Sequence, residues 1–243
     1  MQEHLTQTVE DYLKAIYEIT ATCERASTNQ IAESLGVAPA SVTGMIKKLS
    51  KVDPPLLDYK RHNGVVLTQD GEKIALEIIR HHRLIEMYLH KTLGYRWDEV
   101  HEEADRLEHV ISEEFEERIA AALGDPVHDP HGDPIPSRDL FMPDTSFHPL
   151  SKLRTGQGAT ILRVRDENPE LLRYLSDRGV IPQARLKILD YSPFDENVSL
   201  QVEGQDQPIV LGPKITKEIF VEYNVGINAD GSSEIGISSE VKK

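Results

Sequence analysis

From Leu5 to about Thr20, the apolar residues Leu5, Val9, Tyr12, Leu13, Ile16 and Ile19 recur at helical spacing, and Asp11 sits beside that stripe on its polar side. Ser27-Thr28-Asn29-Gln30 has the order of a capping box and opens a short helix from Ile31 to Leu35. Gly36 ends that helix, and Pro39 suits the first turn of the next, which carries Val42, Met45, Ile46 and Leu49 to about Lys51. Two helices joined by a short Gly-containing turn make a helix-turn-helix. The second begins with small side chains, Ala40, Ser41, Thr43 and Gly44, and ends in Lys47, Lys48 and Lys51. Its start can therefore approach base edges while the lysines meet phosphates.

Beyond Asp53-Pro54-Pro55, Leu56 to Tyr59 and Val65 to Thr68 read as two strands around Lys60-Arg61-His62-Asn63-Gly64. Asn63-Gly64 is a hairpin signal, and Lys60 and Arg61 make its tip basic, as in a DNA-binding wing. The candidate DNA contacts are Ser27, Pro39, Ala40, Ser41, Thr43, Gly44, Lys47, Lys48, Lys60 and Arg61.

Gln69-Asp70-Gly71 opens a long helix through Ile74, Ile78, Leu84, Ile85, Tyr88 and Leu89 to Leu93, closed by Gly94. His82 and Glu86 lie one turn apart on it, a pair able to grip one ion, while the neighbouring His81 is expected at the surface. Trp97-Asp98-Glu99 starts another helix, read as running to about Leu123. On it His101, Asp105, Glu108 and His109 fall at i, i+4, i+7 and i+8 and share one face. Two imidazoles and two carboxylates on one face read as a site for Mn, Fe, Co, Ni or Zn. The apolar positions Val100, Ala104, Leu107, Val110, Ile111 and Phe115 outnumber what one chain can cover, which implies a helical dimer interface.

From Gly124 to about Pro149 the chain is rich in Pro, Gly, His and Asp and reads as loop and linker, with His128, His131 and His148 exposed. Apolar runs then alternate at Ala159 to Val164, Arg185 to Tyr191, Val198 to Val202, Ile209 to Leu211 and Glu218 to Tyr223, with a helix at Pro169 to Ser176. That pattern predicts a small barrel of SH3 type. The fold class expected is mainly α with a small all-β C-terminal domain. Its parts are a winged helix-turn-helix (1–70), a helical metal-binding and dimerisation domain with a Pro-rich linker (71–150), an SH3-like domain (151–225) and a flexible tail (226–243).

Composition narrows the function. A net charge of -14 over 243 residues argues against nonspecific nucleic-acid binding by the whole molecule. The charge is uneven, however: Lys47, Lys48, Lys51, Lys60 and Arg61 cluster early, and Asp98 to Glu117 is dominated by Asp and Glu. A locally basic reader beside an acidic middle suits a DNA binder gated by cations. No apolar run approaches the ~20 residues of a membrane helix, and the N-terminus lacks a signal-peptide layout, so a cytoplasmic protein is expected. The single Cys23 reads as a packing residue. No Glu stands between two His in the zincin spacing and no nucleophile is readable, so no enzymatic activity is expected.

These features in this order resemble the diphtheria toxin repressor family of metal-dependent transcriptional repressors. The resemblance rests on Val9-Glu10-Asp11-Tyr12-Leu13, Arg80-His81-His82-Arg83-Leu84, Val100-His101-Glu102-Glu103-Ala104 through Glu108-His109, and Gly132-Asp133-Pro134-Ile135-Pro136. It implies a homodimer on double-stranded operator DNA that represses metal-uptake genes, with neither a membrane nor a small organic substrate as partner. It also implies a primary metal site of Asp11, Asp105, Glu108 and His109, and an ancillary one of His82, Glu86, His101, Glu167 and Glu170. The family's iron-sensing founders carry Met and Cys where this chain has Asp11 and Asp105. Hard oxygen in place of soft sulfur moves the preference toward Mn(II), with Fe(II) as the alternative and other divalent transition metals accepted in vitro. The family's short manganese regulators lack the barrel and place a second carboxylate where Lys14 stands here, so the ancillary site becomes the better candidate for a second ion. Without metal, Asp11, Asp105 and Glu108 are expected to repel one another and push the first helix away.

Overall fold

The structure, a computed structural model, describes residues 5–143, 147–165 and 168–224. They form two compact units, one of the residues up to 129 together with 134–143, the other of 130–133 and the remainder. The expected tail, 226–243, and Glu167 lie outside the described residues.

The first unit opens with α1 (Gln7–Thr20), α2 (Thr28–Ser34), α3 (Pro39–Leu49) and the antiparallel hairpin β1 (Leu57–Lys60) and β2 (Gly64–Leu67). At the start of α2 the Ser27 side chain accepts from the Gln30 backbone and the Gln30 side chain accepts from the Ser27 backbone. This cap starts α2 three residues ahead of Ile31; the apolar pattern marks only the buried face. Val9, Leu13 and Ile16 of α1 pack with Ile31, Val42, Ile46, Leu49 and Val65 in one core, so α1 is tied to the helix-turn-helix by apolar burial. The wing tip differs from a two-residue Asn63-Gly64 turn. Lys60 pairs with Gly64, which leaves a three-residue loop with His62 at φ 64°. Gly64 stands at φ 86° with its Cα against the Ala26 carbonyl, where a Cβ would come within 2.6 Å of the oxygen.

Helix α4 (Gln69–Leu93) is capped by Thr68, which accepts from the Gly71 backbone, and ends at Gly94 in the left-handed conformation. Its 25 residues span roughly 37 Å. One end joins the winged-helix core through Ala75, and farther along Leu84 and Ile85 enter two separate clusters. The helix expected over 97–123 is two helices, α5 (Val100–Leu107) and α6 (Glu113–Ala122). Ser112 accepts from the Phe115 backbone to cap α6, and Glu113, Glu114 and Glu116 suit its positive N-terminal end. Glu108 is the C-cap of α5, still in right-handed helical conformation beside Asp105, and His109 sits in the turn that follows.

The apolar face is also narrower than expected. Val100 and Ala104 are fully buried against Ile85 and Leu89 of α4, and Leu107 and Ile111 pack against them. Val110 and Phe115 remain exposed, at 64% and 49%. Residues 134–143 are docked on α4: Arg80 donates to the Pro136 carbonyl at 2.6 Å, Arg83 donates to the Pro134 carbonyl, and Ile135 is buried with Leu84 and Ile119. Residues 134–143 are thus irregular in backbone yet fixed on α4.

The second unit is a six-stranded antiparallel sheet of order β3-β8-β4-β5-β6-β7. Its strands are β3 (His148–Pro149), β4 (Gly158–Val164), β5 (Arg185–Tyr191), β6 (Val198–Val202), β7 (Ile209–Leu211) and β8 (Ile219–Asn224). Two short helices, α7 (Pro169–Ser176) and α8 (Pro213–Thr216), complete it. The burial of Val198, Leu200 and Val202 on one face of β6 is the alternation the sequence carries. His148-Pro149 was expected to be loop; only pairing with Val221 and Phe220 makes it a strand. His131 was expected exposed and is buried, its carbonyl accepting from Val164, whereas His128 and His148 are exposed.

Gly71 in the first turn of α4 lies so close to Leu56 that a Cβ would fall 2.2 Å from its carbonyl oxygen. Gly71→Ala should therefore cost about 1–3 kcal/mol of stability. Thermal denaturation is the measurement, and an unchanged midpoint would show that the backbone yields there.

Candidate metal centre

Three groups of ligand-bearing side chains are chained across the junction of α1, α4 and the turn after α5. The ligand atoms of Asp11, Glu108 and His109 lie within 4.8 Å of one another; the same holds for His82, Asp105 and Glu108, and for His82, Glu86 and His101. Each group belongs to the first unit. Helix α1 presents Asp11, and α4 presents His82 and Glu86 one turn apart. Helix α5 presents His101 and Asp105, while Glu108 caps it and His109 follows.

In the first group His109 Nε2 lies 2.9 Å from Asp11 and 3.3 Å from Glu108, and its Nδ1 lies 2.7 Å from Glu10. Hydrogen bonding to Asp11, above all, pushes the His109 pKa up to about 9 despite partial burial, so the imidazolium is held between two carboxylates of α1. In the second group Lys14 donates to both oxygens of Glu108 at 2.8 and 3.1 Å and to Asp105 at 3.3 Å. Burial lowers the Lys14 pKa, but Glu108, Glu18 and Asp105 outweigh it and leave the pKa above the ordinary lysine value. His82 joins the second and third groups. Its Nδ1 is 2.5 Å from Glu108, and its Nε2 is 3.0 Å from Glu86 and 3.1 Å from His101 Nδ1. Burial would drive the His82 proton off, yet Glu86 and Glu108 hold it, and the pKa is pushed up to about 10. Glu108 itself is 2% exposed; burial raises its pKa, and the hydrogen bond from His82 with the Lys14 charge brings it below the usual carboxylate value.

The expected repulsion among Asp11, Asp105 and Glu108 is thus met by the chain's own cations, Lys14, His82 and His109. The structure gathers Asp11, Glu108 and His109 as expected, but places Asp105 on the His82 side of Glu108. His82, Glu86 and His101 come together as expected, and Glu170 is an exposed residue of the second unit. His81, expected at the surface, is 6% exposed. Its Nδ1 meets the Glu108 carbonyl at 3.0 Å and its Nε2 meets Glu116 at 3.0 Å, so it braces the turn that carries Glu108. Sequence reading missed Glu10 and Lys14 as members of the centre. Their signal is helical spacing: Lys14 follows Glu10 by four residues and Asp11 by three, on one face of α1.

The donor chemistry fits a divalent transition ion. Asp11, Glu108 and His109 offer two hard oxygens and one imidazole nitrogen with mutual spacings suited to one ion, and the environment is negative enough to retain three protonated side chains. The other expected surface is also accessible. Pro39, Ala40, Ser41, Gly44, Lys47 and Lys48 of α3 are exposed, as are Lys60 and Arg61 at the wing. Thr43 is half-buried as a residue, its hydroxyl donating to the Pro39 carbonyl at 3.0 Å, and exposed Ser27 is occupied in its cap.

Comparison with known proteins agrees with this layout. The profile of the iron dependent repressor N-terminal DNA binding domain matches residues 4–65, that of the iron dependent repressor metal binding and dimerisation domain matches 68–137, and the FeoA domain matches 148–223. The chain is 31% identical over 230 residues to the iron-dependent repressor IdeR of Mycobacterium leprae, covering 90% of this chain and 98% of that one. It is 38% identical over 114 residues to the HTH-type transcriptional regulator MntR of Shouchella clausii, covering 47% of this chain and 78% of that one. A solved manganese-dependent transcriptional repressor in complex with manganese superposes with a TM-score of 0.81 at 37% identity, over 89% of this chain and all of that one. The chain belongs to the iron-dependent, or diphtheria toxin, repressor family of metal-dependent transcriptional repressors, which has manganese- and iron-dependent members. Among the described residues no helix is long and apolar enough to cross a membrane.

His82 and His109 hold protons more tightly folded than at the ordinary value of 6.5, so each contributes stability that is complete below pH 6.5 and is lost as pH rises through about 9 to 10. Glu108 contributes in the opposite sense, its share being present above the ordinary carboxylate value of 4.5 and lost as pH falls. Urea denaturation of chelator-treated protein should give a lower midpoint at pH 9.5 than at pH 6.5. A midpoint that rose over that interval would contradict the protonated network.

Proposed function

We propose that this protein is a Mn(II)-activated repressor that acts in the cytoplasm as a homodimer on double-stranded operator DNA and governs genes of metal-ion uptake. The observation that carries this reading is the meeting of Asp11, from the DNA-binding part of the first unit, with Glu108 and His109 beyond α5. These three side chains would hold the regulatory ion, and His82, Glu86 and His101 an ancillary one, to which Glu167 and Glu170 are the proposed further donors. Asp105 is assigned to the primary site through its contacts beside Glu108. A bound divalent ion supplies positive charge and directional ligation between α1 and the turn after α5.

The chain's own residues convert that tie into a DNA-binding response. Helix α1 shares a core with α3, so fixing Asp11 relative to His109 fixes the recognition helix relative to α4 and α5. Across a dimer the two recognition helices have to meet half-sites ~34 Å apart, and holding each one against its own α5 raises the share of molecules with that spacing. The small side chains at the start of α3 leave room for base edges, while Lys47, Lys48, Lys60 and Arg61 meet phosphates, with Ser27 and Pro39 to Gly44 beside them. Carboxylate-rich donors favour Mn(II). Fe(II) is the second reading, favoured by the two imidazoles of the His82–Glu86–His101 group and by the likeness to an iron-dependent repressor.

Exposed Val110 and Phe115 lie in the segment that matches the dimerisation profile and are the proposed subunit contact. Val110→Asp with Phe115→Asp should shift the protein from dimer to monomer in light scattering; an unchanged mass would place the interface elsewhere.

Fluorescence anisotropy on the DNA upstream of its own gene should show Mn(II)-dependent binding that chelator removes. His109→Ala and Asp105→Ala should each weaken it by at least tenfold, about 1.4 kcal/mol. Equal binding in Mn(II) and in chelator would refute the metal switch.

A further inference from the structure

Gly44 carries a cost that nothing else in the chain offsets. It stands in the middle of α3, a helix of 11 residues. In a helix interior, glycine lowers the balance of helix over coil about fivefold relative to alanine. Gly64 and Gly71 have reasons within the fold, since a Cβ there would strike the Ala26 or the Leu56 carbonyl. At Gly44 the backbone is helical, and apart from its own helix a Cβ would meet nothing within 4 Å among the described residues. The requirement for a bare Cα at this position therefore comes from outside the chain.

What lies outside is DNA, because the profile of a DNA binding domain matches residues 4–65. Val42, Ile46 and Leu49 are the buried face of α3, and helical spacing puts exposed Gly44 near the centre of the opposite face. Ala40 lies one turn before it, and Lys47 and Lys48 one turn after. The neighbouring Thr43 hydroxyl is engaged by the Pro39 carbonyl at 3.0 Å, and the lysines suit phosphates. A base edge bearing a hydrogen-bond donor or acceptor would lose water against the Gly44 Cα and gain no partner. The 5-methyl group of thymine is the apolar feature of the major groove and forfeits no hydrogen bond there. We propose that Gly44 is a specificity-determining residue, its bare Cα receiving a thymine 5-methyl group, so that α3 selects a T·A pair by shape at the middle of its contact. The inference rests on the reading of α3 as the recognition helix and names what that helix selects. Lys47 and Lys48 add affinity without sequence preference.

The test compares the full-length parent, Gly44→Ala and Lys47→Ala, each with Mn(II), by fluorescence anisotropy on the DNA upstream of the gene. That DNA is made once with thymine and once with deoxyuridine throughout, which lacks the methyl group, and is used at a salt concentration at which the parent binds both. Gly44→Ala should raise the thermal midpoint by about 2–4 °C, so weaker binding cannot be traced to a damaged fold. On thymine DNA it should bind roughly tenfold more weakly than the parent, the loss of one base contact. On deoxyuridine DNA the two should bind alike, because the alanine Cβ takes the space the methyl group has left. Lys47→Ala should weaken binding by the same factor on both duplexes. Equal affinity of the parent and Gly44→Ala on thymine DNA would overturn the role of Gly44. A Gly44→Ala deficit of one size on both duplexes would overturn the thymine contact, as would a Lys47→Ala deficit that also vanishes on deoxyuridine DNA. Each of these results leaves the repressor reading standing. That reading fails if the parent binds its upstream DNA no better than mixed-sequence DNA, and the inference then fails with it.

Discussion

A carboxylate with almost no access to water, Glu108, is the constraint on which the rest of this structure depends. An ionised carboxylate so placed is tolerated only with cations and hydrogen-bond donors around it. The chain provides them from three directions: Lys14 from α1, His82 from α4 and His109 from the adjoining turn. Because those groups come from different elements, satisfying one buried charge fixes the DNA-binding helices against the helical part that follows. The same electrostatic need makes the place receptive to a divalent ion, since ion and proton compete for the same lone pairs.

Helix α4 makes this coupling mechanical. It runs from the winged-helix core, where Ala75 is buried, past His82 and Glu86 to the clusters that hold α5 and α6. Along that length it also carries Arg80, 2.5 Å from Glu116, and His81, which clamps the Glu108 carbonyl and the same Glu116. Burial lowers the His81 pKa, but Glu116 and the Glu108 carbonyl outweigh it and leave it above the ordinary histidine value. The turn that presents Glu108 and His109 is thereby held on its backbone as well as on its side chains. Residues 134–143 cover the far side through carbonyls facing Arg80 and Arg83.

Much of the fold was legible because the signals were local. The Ser27–Gln30 box, Pro39 at a helix start, Gly94 at a helix end and the period-two strands of the second unit each depend on neighbours within a few residues. What escaped depended on contacts far apart in sequence or on competing local choices. The helix over 97–123 has helical composition throughout, yet Ser112 with three acidic residues after it makes a new start more favourable than continuation. His81 was assigned outward because His82 faces inward, but a helix gripped by residues 108 and 116 buries both. Of the centre, the ligand types and most of their grouping could be read from spacing. The resident cations could not, because Lys14 and Glu108 are 94 positions apart. A lysine on a polar helix face is most often only a solvated charge.

The central claim is that one divalent ion is held between the start of the chain and the turn beyond α5. The most direct measurement is the anomalous difference density of crystals grown in Mn(II), recorded above and below the manganese edge. A peak within bonding distance of Asp11, Glu108 and His109 together is the expected result. Manganese bound elsewhere, with these three side chains still paired only to one another and to Glu10, Lys14 and His82, would contradict it.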